Sequence, residues 1–222
     1  QGAGAAVPPP LERLPGDFRR EPTPADVVAA APAERTATRI AYDWAQADAA
    51  AVGTVVHRIL AQLATRVPVG VDAVAIAAMR SRVDAELAAL GVRNDARDDA
   101  ASRVLDAVMR TLADPDGRWL FDPAHAEAAS EIALSAASGD GVLRVVIDRT
   151  FVADGVRWIV DFKTSRHEGG DLGAFLARER LRHAPQLEGY ARVMAMIDAR
   201  PIRLALYFPA LARLEAWDYA AS

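Results

Sequence analysis

Asp148, Asp161 and Lys163 are the residues from which this sequence makes chemistry. Two carboxylates and an amine converging at a strand end suit hydrolysis of a phosphodiester. Carboxylates hold a hard divalent cation. The cation activates a water and neutralises charge on the phosphate, while the lysine orients the water or offsets developing charge. Asp161 and Lys163 are two residues apart, and in a strand such residues share a face, roughly 7 Å apart along the chain. An Asp-x-Lys triplet on a strand is also what an ordinary solvated ion pair looks like. Lys163, however, is the only lysine in 222 residues. Arginine is a broad fork that stays protonated, whereas lysine is a compact point charge with a tunable pKa. A solvated pair would tolerate either.

Three further features accompany the triplet. Gly53 and His57 are four apart on one face of a predicted helix. The glycine permits a close neighbour, and the histidine is either a metal ligand or an ordinary half-buried side chain. Gln186 and Tyr190 repeat that spacing on a later helix, as site residues or as plain packing and surface. Glu131 reads as a further acid near a metal or as an edge-strand charge.

The elements that must position these residues follow from periodicity. Residues 1–40 carry Pro8, Pro9, Pro10, Pro15, Pro22, Pro24 and Pro32 and read as a Pro/Ala-rich linker or wrapping arm. The chain starts without Met and reads as a piece of a longer one. Val52, Val55, Val56, Ile59, Leu60 and Leu63 predict a helix from Asp43 to Val67, ended by Pro68 and Gly70. A second helix is expected over about Asp72–Leu90. A third covers about Asp95–Leu112 and stops at an Asp114-Pro115-Asp116-Gly117 turn. The period then falls towards two. Strands are expected at Glu131–Ser135, at Leu143–Asp148 with Asp148 at its end, and at Arg157–Thr164. Asp154-Gly155 is the hairpin signal. Two helices follow, about Leu172–Arg182 and Pro185–Asp198, then strands Ile202–Phe208 and Arg213–Trp217. The order predicts an α/β (α+β) domain over 41–222. Residues 41–128 form its mainly helical part, and 129–222 its mixed central sheet and flanking helices.

Composition narrows the function. Hydrophobic residues make up 52% and charged residues 25%, a balance that buries a sizeable core. No apolar run reaches membrane-spanning length, and no start reads as a secretion signal. The absence of cysteine removes disulfides, thiolate zinc sites and cysteine-held clusters, and a reducing cytoplasm fits. Net charge is −4, with −6 in residues 1–140 and +2 in residues 141–222. With so few phosphate-neutralising cations, the chain alone should bind DNA weakly. No phosphate-cradling loop sequence is present, so no ATPase activity is expected. His125, His167 and His183 read as surface residues, the four tryptophans as core or docking contacts, and Arg178, Arg180 and Arg182 as a solvated helix face.

Gly-x-x-x-His, then Asp, then Asp-Phe-Lys, then Gln-x-x-x-Tyr, in that order, resembles the RecB-like nucleases of the PD-(D/E)XK superfamily. The matching residues are Gly53 and His57, Asp148, Asp161 with Phe162 and Lys163, and Gln186 and Tyr190. The resemblance spans roughly residues 50–210. It implies a restriction-endonuclease-like fold and a Mg²⁺- or Mn²⁺-dependent deoxyribonuclease. Such domains are the C-terminal nuclease modules of UvrD/RecB/AddA-type helicase–nucleases in DNA repair and recombination. Its partners would be DNA, the motor domains of the same polypeptide and further subunits. By resemblance, His57, Asp148, Asp161 and the Phe162 carbonyl bind the metal. Lys163 is then catalytic with the two acids, while Gln186, Tyr190 and Gly53 line the DNA path and brace the site. Two departures stand out. There are no cluster cysteines, which points to the cluster-free branch. Arg144-Val145-Val146 occupies a stretch where the family often has glycine, predicting a more regular strand before Asp148. The rival readings are a catalytically inactive DNA-binding or docking module on this fold, and an enzyme of another class using the same metal site.

Overall fold

A computed structural model describes residues 33–65, 73–138, 141–165, 167 and 169–220. The chain divides into two compact units, Gln1–Ala41 and Tyr42–Ser222. The described part of the first is the start of the first helix, whose remainder belongs to the second with all the other elements below.

Helix α1 covers Ala33–Thr65. It begins well before Asp43 because Ala33, Glu34 and Arg35, just past the last proline, are good helix formers. Residues 33–40, expected in the linker, are therefore helical. Residues 1–32 and the Pro68–Gly70 stop lie outside the described residues. The predicted apolar stripe of α1 is buried, with Val55, Val56, Ile59 and Leu60 at most 1% exposed. Each contributes roughly 1.5–3 kcal/mol by burial.

The expected second helix is two: α2 (Ala73–Ala78) and α3 (Arg80–Ala89). A tight bond from the Met79 N–H to the Ile76 carbonyl, 3.0 Å, marks the break. No glycine or proline announces it. Helix α4 (Asn94–Ala113) matches its expectation. The Asp-Pro-Asp-Gly stretch opens another helix, α5 (Pro115–Leu120), instead of a plain turn. Asp114 caps it, accepting from the Gly117 N–H at 3.0 Å, and Pro115 sits in the first turn, where its missing N–H is harmless. Tyr207 donates its hydroxyl to the same carboxylate at 3.0 Å, tying α5 to the sheet. A Cβ on Gly117 would lie 2.1 Å from the Thr111 carbonyl oxygen and 2.6 Å from the Tyr207 hydroxyl. Backbone cannot yield as a flexible side chain does. Gly117→Ala is therefore expected to cost about 3 kcal/mol or more in denaturant unfolding. A loss below about 1 kcal/mol would refute this packing.

Five strands form one mixed sheet in chain order: β1 (Ala126–Ser138), β2 (Gly141–Ala153), β3 (Val156–Phe162), β4 (Ile202–Phe208) and β5 (Arg213–Asp218). All neighbours are antiparallel except β3 and β4, which run parallel and are joined through helix α6 (Leu172–Met194). The hairpin turn is Asp154–Gly155, both at positive φ, as predicted. Pro185 lies inside α6, where a new helix was expected to begin. Leu181, whose carbonyl loses its helical donor, is 76% exposed, so water can satisfy it and the helix continues. Among the described residues no helix is long and apolar enough to cross a membrane.

The sheet has a core on each face. Helices α1, α3, α4 and α5 cover Phe151, Val160, Phe162 and Tyr207. Helix α6 covers Ile147, Ile159, Leu204 and Phe208 on the other. Strand β2 keeps one register against β1 from Thr150 to Gly141, after a shift between Ala126 and Ala129, but changes company along its length. Val145 and Ile147 pack on the α6 side, whereas Phe151, of the same parity, packs on the α1 side. The β1–β2 ribbon thus rolls over between Ile147 and Arg149. β2 pairs with β3 only from Arg149 onward. On β1, the residue at the roll is Glu131, at φ 52°, a conformation uncommon outside glycine. The strand before Asp148 keeps the regular pairing expected of it, and the positive φ falls on its partner.

Candidate active site

Asp148 sits at the roll, in the interior of β2 instead of at its end. The last β2–β3 pair is Arg149 with Val160. Beyond it the strands part, leaving Asp148 and Asp161 on opposite lips of an opening. The Asp148 carboxylate takes over the lost ladder position, with Oδ2 accepting the Phe162 N–H at 2.8 Å. β3 meanwhile continues on β4, pairing Asp161 with Leu206 and Phe162 with Tyr207. Lys163 is just past the strand end, its N–H donating to the Tyr207 carbonyl at 2.9 Å.

His57 reaches the opening from α1. Its Nδ1 lies 3.4 Å from Asp148 Oδ2, and its ring meets Phe162 edge-on. Burial pulls the imidazole pKa down. Asp148's hydrogen bond and charge, helped by Asp161 and the Phe162 backbone, outweigh that and leave it raised. Gly53, one turn earlier, stands against Thr164, where a Cβ would come within 2.9 Å of the hydroxyl. The close neighbour that Gly53 allows is thus the residue after Lys163.

On the other lip, Asp161 is 3% exposed. Its Oδ2 is 2.7 Å from Lys163 Nζ, yet no donor is aligned to hydrogen-bond it among the described residues. Its Oδ1 accepts from Gln186 Nε2 at 3.3 Å. Burial, then the charge of Asp148, raise its pKa from 3.8 to about 6 against the opposing pull of Lys163. Gln186 also accepts from Lys163 Nζ at 3.2 Å and donates to the Tyr190 hydroxyl. Burial raises the Tyr190 pKa. Asp161, Lys163, Gln186 and Tyr190 therefore form one hydrogen-bonded and ion-paired chain.

Glu131 joins the first lip. Ligand atoms of His57, Glu131 and Asp148 lie within 4.8 Å of one another. Asp161 is outside that group, turned to Lys163 and Gln186. Burial and the Asp148 charge raise the Glu131 pKa. A groove of about 670 Å³ between α1 and β1 opens on His57, Glu131 and Asp148. Sequence left Glu131 undecided because its strand alternation says nothing about the roll that presents it.

The donor set suits a hard divalent cation. It offers carboxylate oxygens and one imidazole, and no sulfur. The buried Oδ2 of Asp161 has no aligned hydrogen-bond donor among the described residues and is met by the Lys163 ammonium alone, which leaves it lone-pair capacity for a cation. The surroundings of other histidines differ from the surface reading. His125 is half-buried, stacked on Phe151 with centroids 4.1 Å apart. His183 sits 3.6 Å from Glu179. Arg180 lies over the Trp217 ring instead of facing water alone.

The sequence profile of the PD-(D/E)XK nuclease superfamily matches residues 34–217. The chain belongs to this superfamily. A search of curated proteins finds no significant match. The mixed five-stranded sheet between helices is the restriction-endonuclease-like α/β arrangement that membership implies. Members of the PD-(D/E)XK superfamily are typically metal-dependent nucleases, and the donor set above fits that chemistry.

Proposed function

We propose that this chain is a Mg²⁺- or Mn²⁺-dependent deoxyribonuclease. In this reading it is the nuclease module of a helicase–nuclease of the RecB type, acting in DNA repair and recombination. The observation that carries the reading is the pair of carboxylates on parted strands, with Lys163 held 2.7 Å from the more buried one. His57, Asp148, Asp161 and the Phe162 carbonyl are the proposed metal ligands, with Glu131 added by its place beside His57 and Asp148.

The cation supplies Lewis-acid activation of water and neutralises charge at the phosphate. The chain's own residues do the rest. Asp161 and Gln186 hold the Lys163 ammonium between two acceptors, so it meets the phosphate preorganised. A cation fixed in advance stabilises charge that develops on the phosphoryl oxygens. Phe162's N–H fixes one Asp148 oxygen, leaving the other to a ligand. Tyr190 fixes Gln186. Motor domains of the same polypeptide would deliver the strand, raising its effective concentration at a site whose own charge attracts DNA poorly.

Incubation with linear single- and double-stranded DNA tests this. Cleavage is expected with Mg²⁺ or Mn²⁺, none with EDTA, and at least a hundredfold less for Asp148→Asn, a loss of about 2.7 kcal/mol in transition-state stabilisation. DNA retention without any cleavage would favour the inactive docking module. EDTA-resistant cleavage would exclude the metal mechanism.

A further inference from the structure

We infer that Glu179, on α6, is a positioning residue that sets Lys163 through Ser165. The inference rests on the nuclease reading above. Glu179 is a carboxylate 7% exposed that belongs to none of the motifs quoted above. A buried carboxylate is costly unless it is well hydrogen-bonded. Its close partner is the Ser165 hydroxyl, which donates to Oε2 at 2.6 Å. The basic side chains around it are looser. His183 Nε2 is 3.6 Å away, and the mostly exposed Arg182 reaches only 3.8 Å.

Ser165 is the second residue after Lys163, and the exit of β3 is gripped at each step. The Lys163 N–H is bound by β4 through the Tyr207 carbonyl. Thr164 is stopped by Gly53 of α1. Ser165 is tied to Glu179 of α6. Gln186, two turns along the same helix, holds the Lys163 ammonium itself. Helix α6 therefore fixes both the head of Lys163 and the backbone that carries it. Glu179, His183, Gln186 and Tyr190 are spaced four, three and four residues apart, one stripe along the helix. Without the Ser165 bond the backbone after Lys163 loses its α6 anchor, and the ammonium drifts from its place. Misplacement of this kind lowers turnover more than binding.

Single-turnover and steady-state cleavage by Ser165→Ala, Glu179→Ala, the double variant and Glu179→Gln tests this, well below each melting temperature. Ser165→Ala and Glu179→Ala are each expected to lower kcat roughly ten- to a hundredfold. KM, and Mn²⁺ affinity by titration calorimetry, should stay at parent values. The double variant should be no slower than either single one, because both cut the same bond. Glu179→Gln keeps an acceptor for the hydroxyl and should restore most of kcat. If Glu179→Ala does not fold, Ser165→Ala, which removes one hydroxyl, decides. A Ser165→Ala kcat within about twofold of the parent, below roughly 0.5 kcal/mol, overturns the inference, as do multiplicative losses in the double variant. A parent that cleaves nothing fails the nuclease reading itself, and this inference with it.

Discussion

The Asp161→Asn variant is expected to lose all cation-dependent cleavage and yet, in EDTA at pH 7.5, to melt above the parent. The activity loss follows from removing a proposed metal ligand and the acceptor that holds Lys163. The stability gain follows from burial. Asp161 is 3% exposed, faces Asp148, and has its pKa raised to about 6. Protonation therefore favours the folded state. That benefit is full below the unfolded value of 3.8 and is lost as pH climbs through about 6. Above pH 6 the metal-free parent carries an unfavourable buried charge, a burden of about 2–3 kcal/mol. Asn keeps the shape without the charge, so its advantage should be near that figure at pH 7.5 and fade towards pH 4. In a domain of this size it corresponds to roughly 5 °C or more. Mg²⁺ should then raise the melting temperature of the parent and not of the variant. Calorimetry across pH 4–8 reads all three. A variant less stable than the parent throughout would mean that the Asp161 charge is already satisfied by the fold.

Lys163→Ala should also abolish cleavage, with the opposite effect on metal-free stability. Removing the ammonium leaves the Asp161 carboxylate without its cation, which should cost about 2 kcal/mol in EDTA, less than the loss in a fully buried pair. Saturating Mg²⁺ should restore most of it, since the metal takes over as counter-charge. Turnover should fall at least a thousandfold, a loss of about 4 kcal/mol in transition-state stabilisation. Lys163→Arg should be nearly as inactive. Its planar fork cannot occupy the place of a point charge between Asp161 Oδ2 and Gln186 Oε1. Reductive methylation offers a check without mutation, because only this side chain and the amino terminus carry amines that react. An Arg variant that keeps more than about half the parent rate would reduce Lys163 to a common ion-pair partner.

The sequence carried the strand and helix order because periodicity carries it. The buried face of α1 is the stripe at Val52 to Leu63, and β4 has the bounds its apolar run suggested. The misplaced boundaries share a cause, which is that tertiary contact overrides local punctuation. Pro185 usually starts a helix, yet exposure of Leu181 lets it sit inside one. Asp114–Gly117 spells a turn, yet Tyr207 and the cap hold it as a helix start. Asp161 and Lys163 were legible because two residues on one strand need no fold to be neighbours. Glu131 was only half legible, since its partners lie on α1 and across the ribbon. Glu179 was illegible as more than a charge, because nothing local says it is buried or that Ser165 is its partner.

The parting of β2 from β3 also makes the Asp154–Gly155 turn a ruler. The count of residues from that turn to Asp148, and from it to Asp161, is what sets the two carboxylates level. Adding one residue on either side of the turn would move one acid a step along its strand and swing it to the opposite face. The stretch of ribbon beyond Asp148 bears no such count, because it is paired with β1 alone. Lengthening or shortening that outer stretch leaves the carboxylates level. Insertions in descendants of this sequence should accordingly gather at the outer end of the ribbon and avoid the inner turn.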